Sequence, residues 1–212
     1  MEWEAELVRA IKEGDEIKAD EVAAAALDEG VEPKKLLEKG AVAGIYEAGR
    51  LWQEGEYFLP DIILATEAYK EVMKRIEPLL ESGDISYRGK VVIGSVEGDA
   101  HDIGKNIVVA LLRSASYEVI DLGVDVPLRD FVDKARELEP DVLGMGAYMT
   151  TTMRGMEEVM RLLAEAGLRE KVKVVVGGAA VTRGYAEHIG ADGYGDNAAA
   201  AVELVDRLLG VV

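Results

Sequence analysis

The sequence predicts an α/β protein in which a bundle of four helices precedes a doubly wound sheet of five parallel strands. Two observations predict this fold class. Apolar residues recur at helical spacing through residues 1–80, which contain almost no β-rich run. From residue 90 onward, short β-branched runs alternate strictly with helical segments, which is typical of a parallel sheet covered by helices on both faces.

The helical half divides into four apolar stripes joined by short links. The first includes Leu7–Ile11, and Asp15 can cap the helix that follows it. Pro33 suits the first position of a third helix, and Leu59-Pro60-Asp61 opens the fourth. Four helices with short connections predict an antiparallel bundle over residues 1–80.

Residues 81–89 (ESGDISYRG) predict a linker, and residues 90–212 then form the second domain. Five apolar, β-branched runs predict strands at Lys90–Val96, Tyr117–Leu122, Asp141–Met145, Val172–Val176 and Ala191–Tyr194. Helices are predicted at 104–115, 127–138, 152–166, 182–189 and 197–209. Because such sheets bind ligands beyond the carboxyl ends of their strands, we expect a site in the loops after the first, third and fourth strands.

Composition excludes several classes of function. The chain of 212 residues has 24 Lys and Arg against 41 Asp and Glu, and a net charge of −17 argues against nucleic-acid binding. With no Cys, it has no disulfide, thiolate nucleophile or cysteine-held metal cluster. No apolar run reaches the ~20 residues of a membrane span, and the acidic N-terminus shows no targeting pattern. We therefore expect a soluble cytoplasmic protein.

The loop after the first strand, EGDAHDIGKN, contains one of the two histidines of the chain. Asp99 lies two residues before His101, a spacing that allows its carboxylate to accept a hydrogen bond from one ring nitrogen while the other binds a ligand. The alternative is that His101 caps or packs the following helix. The other histidine, His188, fits a helix C-terminus on the surface.

The segment D-A-H-D-I-G at residues 99–104 resembles the D-x-H-x-x-G fingerprint of cobalamin-binding domains. That family also shows S-x-L after the third strand and Gly-Gly after the fourth. The spacing is similar here, since 41 residues separate Gly104 from Gly146 and 28 separate Tyr148 from Gly177. GDAHDIGKNIV and EYFLPDIILATEAY both resemble the corrinoid proteins of methyltransferase systems, and the resemblance covers nearly the whole chain.

The resemblance implies that a cobalamin or related cobamide binds with its lower base displaced and with His101 as the axial cobalt ligand. Asp99 would be the hydrogen-bond partner of His101, and Thr152 would continue the relay, although a threonine at a helix start is also an ordinary N-cap. The remaining cofactor contacts that the resemblance implies are Asp102, Ile103, Gly104, Gly146, Tyr148, Thr150, Gly177 and Gly178.

One part of the fingerprint differs, because S-x-L is here Gly146-Ala147-Tyr148. Gly146 cannot make a serine's hydrogen bond, and Tyr148 is larger than leucine. We therefore expect an altered pocket for the nucleotide tail, and hypothesise a cobamide with a modified lower base. Gly177 and Gly178 would let the tail pass close to the backbone, or would form an ordinary turn. Asp196 or Asn197 would cap the last helix, or backbone N–H groups there would meet a phosphate.

By the same resemblance, the protein carries a methyl group on cobalt between a substrate-specific methyltransferase and an acceptor methyltransferase whose acceptor is tetrahydrofolate or a thiol. It would not be an enzyme alone, and a reductive activase is a further partner that the resemblance allows. In related proteins a helical bundle covers the upper face of the corrin. Trp52, Tyr57 and Phe58 are candidates for that shield, or else bundle core.

Three alternatives remain open from the sequence. A cobalamin-based light sensor also joins a helical bundle to this domain, but it usually adds a basic DNA-binding segment. The small subunit of a cobalamin-dependent mutase shares the binding loop without needing such a bundle. A flavodoxin-like binder of another ligand is the third.

Overall fold

The structure, a computed structural model, describes residues 2–80 and 87–211. These residues form two compact units. One contains the N-terminal part of the chain up to Tyr87 together with Arg113–Ser116, and the other contains Arg88–Leu112 and the chain from Tyr117 onward. Most of the expected linker, residues 81–86, lies outside the described residues, so the domain bounds 1–80, 81–89 and 90–212 stay a prediction.

The N-terminal unit is helical, as its apolar spacing predicts. Asp15 caps the second helix by accepting a hydrogen bond from the Lys18 backbone N–H at 2.9 Å. A π-helical turn, Leu37–Val42, connects two α-helical segments, so the predicted third helix is continuous but locally wider. The α-helices are α1 (Glu2–Lys12), α2 (Glu16–Asp28), α3 (Pro33–Leu36), α4 (Ala43–Gln53) and α5 (Leu59–Ile76), which a 3₁₀ turn at Glu77–Leu79 follows.

Two glycines explain how closely α1 packs against the third helix of the bundle. A methyl group at Gly40 would overlap the Leu7 side chain, and one at Gly44 would lie 2.9 Å from Cβ of Ile11. Leu7 and Ile11 are fully buried at this contact. A larger residue at Gly44 would meet Ile11 close to its backbone, and one at Gly40 would require the Leu7 side chain to move, so these glycines permit the close packing of the helices.

The C-terminal unit is a five-stranded parallel sheet with the strand order β2-β1-β3-β4-β5. Its strands are β1 (Lys90–Ser95), β2 (Glu118–Asp121), β3 (Val142–Gly146), β4 (Lys173–Gly177) and β5 (Gly193–Gly195). Its helices are α6 (Ile103–Ser114), α7 (Leu128–Leu138), α8 (Thr150–Glu165), α9 (Arg183–His188) and α10 (Ala198–Leu209). The predicted α/β fold class is therefore confirmed, and each observed element overlaps its predicted range.

The topology places the site. The chain leaves β1 in one direction to form β2 and later returns to the other side of β1 to form β3, so the strand order reverses between β1 and β3. In the register of these central strands, Ser95 pairs with Gly146, and Gly146 pairs with Gly177. The carboxyl ends of β1, β3 and β4 therefore end level with one another, and their loops meet at the switch point where ligands bind in such sheets.

None of the helices formed by the described residues combines the length and the apolarity that crossing a bilayer requires.

Candidate functional site

Asp99 is the buried centre of the loop that follows β1. Its side chain is fully buried, and its backbone N–H donates to the Val96 carbonyl at 3.0 Å. Its Oδ1 atom lies 2.7 Å from Nδ1 of His101 and also accepts a hydrogen bond from the His101 backbone N–H at 3.2 Å. One carboxylate oxygen therefore fixes both the backbone and the ring of the histidine.

The other oxygen of Asp99 binds the loop that follows β3. Oδ2 accepts hydrogen bonds from the backbone N–H of Tyr148 at 2.7 Å and of Met149 at 3.3 Å, and from the Thr152 hydroxyl at 2.7 Å. Thr152 is the third residue of α8, whose N-cap position is Met149, so the structure does not use Thr152 as an N-cap. Asp99 thus joins the two loops on either side of the switch point.

These donors decide the charge of Asp99. Burial by itself raises the pKa of a carboxyl group, but the hydrogen bonds from Tyr148, Thr152 and His101 outweigh it and bring the pKa of Asp99 to about 2. Asp99 is therefore a carboxylate at neutral pH, and it acts as an acceptor towards all of its partners.

A carboxylate acceptor also decides the tautomer of His101. Because Asp99 can only accept, Nδ1 of His101 carries a proton, and in the neutral ring the lone pair is on Nε2. The side chain of His101 is 55% exposed, in contrast to the buried Asp99. The arrangement presents Nε2 as a possible metal ligand whose orientation and basicity the carboxylate controls.

Ser95 and Asp125 also position this loop, and the sequence reasoning missed both. The Ser95 hydroxyl donates to the His101 carbonyl at 2.9 Å. Asp125 accepts from the Gly98 N–H at 2.6 Å, and its own N–H donates to the Asp99 carbonyl at 2.9 Å. Asp125 has a φ of +52°, which is uncommon for a residue other than glycine. No sequence pattern indicated these contacts, and those of Asp125 depend on β1 and β2 lying side by side.

Lys105 is a further residue that the resemblance did not single out, although it directly follows the motif. Its ammonium group is buried and donates to both carboxylate oxygens of Asp121, at 2.7 and 2.6 Å, and to Asn106 Oδ1 at 2.8 Å. Since a buried ammonium is tolerated only when it is paired, this contact ties the start of α6 to the end of β2.

A cavity of about 400 Å³ lies at the same edge of the sheet, as expected for the loops after β1, β3 and β4. Four of the glycines that line it are Gly104, Gly146, Gly177 and Gly178, all of which the sequence had indicated. Tyr148 and Lys105 also line it. Missing side chains at the glycines leave the backbone open to a large, flat or extended ligand.

Two of these glycines differ in whether the fold would tolerate a side chain at that position. A methyl group at Gly178, which has a φ of +113°, would overlap the Ala147 carbonyl, so this glycine allows the β3 and β4 loops to approach each other. At Gly146 the nearest atom to a methyl group would be Ser95 Oγ at 3.6 Å, so a side chain would fit there. The glycine at 178 is required by the fold, and the one at 146 is not.

The other predicted cofactor contacts lie around the rim of the site. Asp102, Ile103 and Thr150 are exposed, and Ile103 is 75% exposed. Asn197 caps α10 by accepting from the Ala200 N–H at 2.9 Å, which is the capping role that the sequence allowed. His188 is exposed at the end of α9, away from the residues that line the cavity.

The three aromatic residues of the helical unit are in different environments. Tyr57 is half-buried and donates its hydroxyl hydrogen to the Lys12 carbonyl at 3.1 Å, whereas Phe58 is 70% exposed. Trp52 is half-buried. Phe58 is therefore not bundle core, while Tyr57 contributes to the packing of its own unit.

Within the described parts of the chain, no group of three or more histidine, cysteine, aspartate or glutamate residues could hold a bare metal ion. A metal at His101 would therefore have to bring most of its own ligands. A corrinoid would fit this requirement, because its macrocycle would bring most of the ligands of the cobalt, and the cavity lined by Tyr148, which stacks on His101, could receive a bulky substituent.

Comparison with known proteins agrees with this site. A family described as "B12 binding domain" matches residues 89–203, and a second family with the same description matches residues 3–77. The chain is 45% identical over 202 residues to trimethylamine corrinoid protein 1 of Methanosarcina acetivorans, covering 94% of each protein. It is 43% identical over 208 residues to a corrinoid protein of Desulfitobacterium hafniense, covering 97% of this chain and 96% of that protein.

Two solved structures are also similar. A chain in the methanol:cobalamin methyltransferase complex of Methanosarcina barkeri has a TM-score of 0.89 and 34% identity, covering all of this chain and 81% of that one. The monomethylamine corrinoid protein of Methanosarcina barkeri has a TM-score of 0.55 and 33% identity, covering 97% of this chain and 96% of that one. The cobalamin-type cofactor that the resemblance implied is therefore supported by the comparisons, and the chain belongs to the B12-binding corrinoid proteins of methyltransferase systems.

Proposed function

We propose that this protein carries a methyl group between a substrate-specific corrinoid methyltransferase and an acceptor methyltransferase, with His101 as the lower axial ligand of a cobamide. The observation that carries the proposal is the Asp99–His101 pair, 2.7 Å apart, beside a glycine-lined cavity at the switch point of the sheet. When bound, the corrinoid supplies a cobalt centre that accepts and releases methyl groups.

The residues of this chain would orient and tune that centre. Asp99 holds the proton on Nδ1 of His101, so the lone pair of Nε2 is directed away from the carboxylate. Thr152 donates to the far oxygen of Asp99 and so completes the proposed relay from His101 through Asp99.

The cavity is the proposed site of the nucleotide tail. A lower base displaced from cobalt would need a separate place, and the cavity of about 400 Å³ is lined by Tyr148, whose ring stacks on that of His101. Gly104, Gly146, Gly177 and Gly178 would let the tail lie close to the backbone. We also propose that this pocket prefers a cobamide with a modified lower base.

The names of the relatives suggest which partners to test first. Those named above include a trimethylamine corrinoid protein and a chain from a methanol:cobalamin methyltransferase complex, so small methylated amines and alcohols are the first donors to test. Tetrahydrofolate or a thiol is the proposed acceptor, and a reductive activase would restore the reduced cobalt. A shield formed by the helical unit also stays a proposal, for which Phe58 is an exposed candidate.

A spectroscopic experiment tests the proposal. The protein is labelled with ¹⁵N-histidine, reconstituted with cobalamin, purified and reduced to the cobalt(II) state. We expect a visible spectrum of bound corrinoid and a nitrogen hyperfine coupling in the electron paramagnetic resonance spectrum that changes with the histidine label. His101→Ala should lose the label-dependent coupling, and His188→Ala, which changes the exposed histidine of α9, should keep it.

Two outcomes would contradict the proposal at different levels. Failure of the wild-type protein to retain any corrinoid would exclude the methyl-carrier function. Retention of corrinoid with a coupling that follows a labelled lower base would exclude only the assignment of His101 as the ligand.

A further inference from the structure

Tyr148 lies between His101 and the cavity. Its ring stacks on the imidazole of His101 with the ring centroids 5.5 Å apart and the planes 29° from parallel. Tyr148 also lines the cavity that we propose for the nucleotide tail. A tail that runs from the face of cobalt bound by His101 into this cavity must therefore pass Tyr148.

The ring also reaches α6. A methyl group at Gly104 would overlap the Tyr148 hydroxyl, so the phenol lies directly on the backbone at the start of this helix. Tyr148 lies in the loop after β3, and its backbone N–H donates to Oδ2 of Asp99 at 2.7 Å. The side chain thus spans the gap between the β3 loop and α6, which are two walls of the cavity.

Gly146 provides space next to the ring. A methyl group at Gly146 would have Ser95 Oγ at 3.6 Å and Cε2 of Tyr148 at 3.8 Å as neighbours, which are ordinary contact distances. The fingerprint places serine and leucine where this chain has Gly146 and Tyr148. The larger residue at 148 is therefore accompanied by a smaller one beside it, and the missing side chain leaves room for the ring to turn.

We propose that Tyr148 is a specificity-determining residue that obstructs the path from His101 into the tail cavity in the corrinoid-free protein and must rotate towards Gly146 before a nucleotide tail can enter. This inference rests on the proposed corrinoid-binding function. Rotation breaks the stacking with His101 and the contact at Gly104, so the open form is the minor one, and tailed cobamides bind only to that form. A corrinoid without a tail does not need the cavity, and Tyr148 does not slow its binding.

The test measures association rates by stopped-flow absorbance, which requires no partner enzyme. The first probe is a cobamide whose lower base has no coordinating nitrogen, so that release of that base from cobalt cannot limit the rate. The second is cobinamide, which has no nucleotide tail. Tyr148→Leu should bind the tailed probe about tenfold faster or more, as expected if the open form of the wild type is 10% populated or less. Its rate with cobinamide should equal that of the wild type.

Three further variants separate the ring from other effects. Tyr148→Phe keeps the ring and should keep the slow rate with the tailed probe. Gly146→Ser should slow that probe further, because the serine occupies the space into which the ring turns. Tyr185→Leu changes another half-buried tyrosine of the same unit, whose hydroxyl donates to the Met153 carbonyl at 2.7 Å, and should leave both rates unchanged.

Equal rates for Tyr148→Leu and the wild type with the tailed probe would overturn the proposal. So would an equal acceleration of both probes, or a Tyr148→Phe variant as fast as Tyr148→Leu. Binding of both probes by all variants at one common rate would leave the corrinoid function standing and remove only the role of Tyr148. Binding of neither probe by the wild type would overturn both.

Discussion

Asp99 accepts five hydrogen bonds, and no other buried carboxylate among the described residues combines ring, hydroxyl and backbone donors in this way. Its two oxygens bind different loops, one carrying His101 and the other carrying Tyr148 and Thr152. The same residue therefore fixes the tautomer of the candidate ligand and holds the two sides of the switch point together. Its ionised state is a condition for both.

Replacing this carboxylate should destabilise the corrinoid-free protein in a pH-dependent way. Because the pKa of Asp99 falls from 3.8 to about 2 on folding, ionisation contributes about 2 kcal/mol above pH 4, and this contribution is lost as the pH falls through 2. We expect Asp99→Asn to lower the free energy of unfolding by about that amount at pH 7, and by less at pH 3. Urea unfolding at both pH values measures the difference.

Asp133→Asn is the matched control, since Asp133 is exposed on α7 and forms a surface ion pair with Arg136 at 3.1 Å. It should change the stability little at either pH. A loss for Asp99→Asn that stays constant from pH 7 to pH 3 would show that geometry, and not charge, is responsible.

At the scale of elements, the site depends on how closely the β3 and β4 loops approach. Gly178 has a φ of +113° and lies against the Ala147 carbonyl. The backbone N–H of Ala147 in turn donates to the Gly177 carbonyl at 3.1 Å. The sequence allows the Gly177-Gly178 pair two roles, either room for a nucleotide tail or an ordinary turn. The structure gives the glycine at 178 a steric reason, which is the close approach of two loops of the protein itself.

Gly178→Ala should therefore be destabilising even without a cofactor. The overlap with Ala147 and the unfavourable φ together are expected to cost about 2–4 kcal/mol of unfolding free energy. Gly184→Ala is the control, because a methyl group there has no neighbour within 4 Å and the residue lies in α9. That change should be neutral or stabilising by up to about 1 kcal/mol. Equal stabilities of the two variants in thermal unfolding would contradict the steric explanation.

The elements themselves follow from the sequence with small differences. The predicted strand at Tyr117–Leu122 is observed at Glu118–Asp121, and the helix predicted at 152–166 begins earlier, at Thr150. The π-helical turn at Leu37–Val42 was not predicted, because periodicity reports that a segment is helical without resolving one extra residue in a turn. The role of Gly40 and Gly44 in close packing depends on α1 lying against this helix, which the sequence does not show.

At the scale of the whole molecule, the net charge of −17 concerns partners rather than the fold. A strongly acidic surface attracts basic patches, so we expect association with a cognate methyltransferase to be electrostatically assisted. The association rate constant should fall about tenfold or more between low and high salt, with a smaller change in the dissociation rate. Surface plasmon resonance across a sodium chloride series measures both, and an association rate independent of salt would exclude this docking mode.

The sequence by itself determined the fold class, predicted the edge of the sheet where the site is expected and, through the family resemblance, indicated His101 as the candidate ligand. It could do so because hydrophobic periodicity reports local structure and because the fingerprint D-A-H-D-I-G is contiguous. Only the tertiary structure showed that Ser95 and Asp125 hold the His101 loop and that Lys105 pairs with Asp121 across 16 positions of the chain. It alone placed the Tyr148 ring between His101 and the cavity. Apart from the Ser95–His101 contact, which lies within β1 and its own loop, these contacts join residues distant in sequence, and they form only where parallel strands bring separate loops to one edge of the sheet.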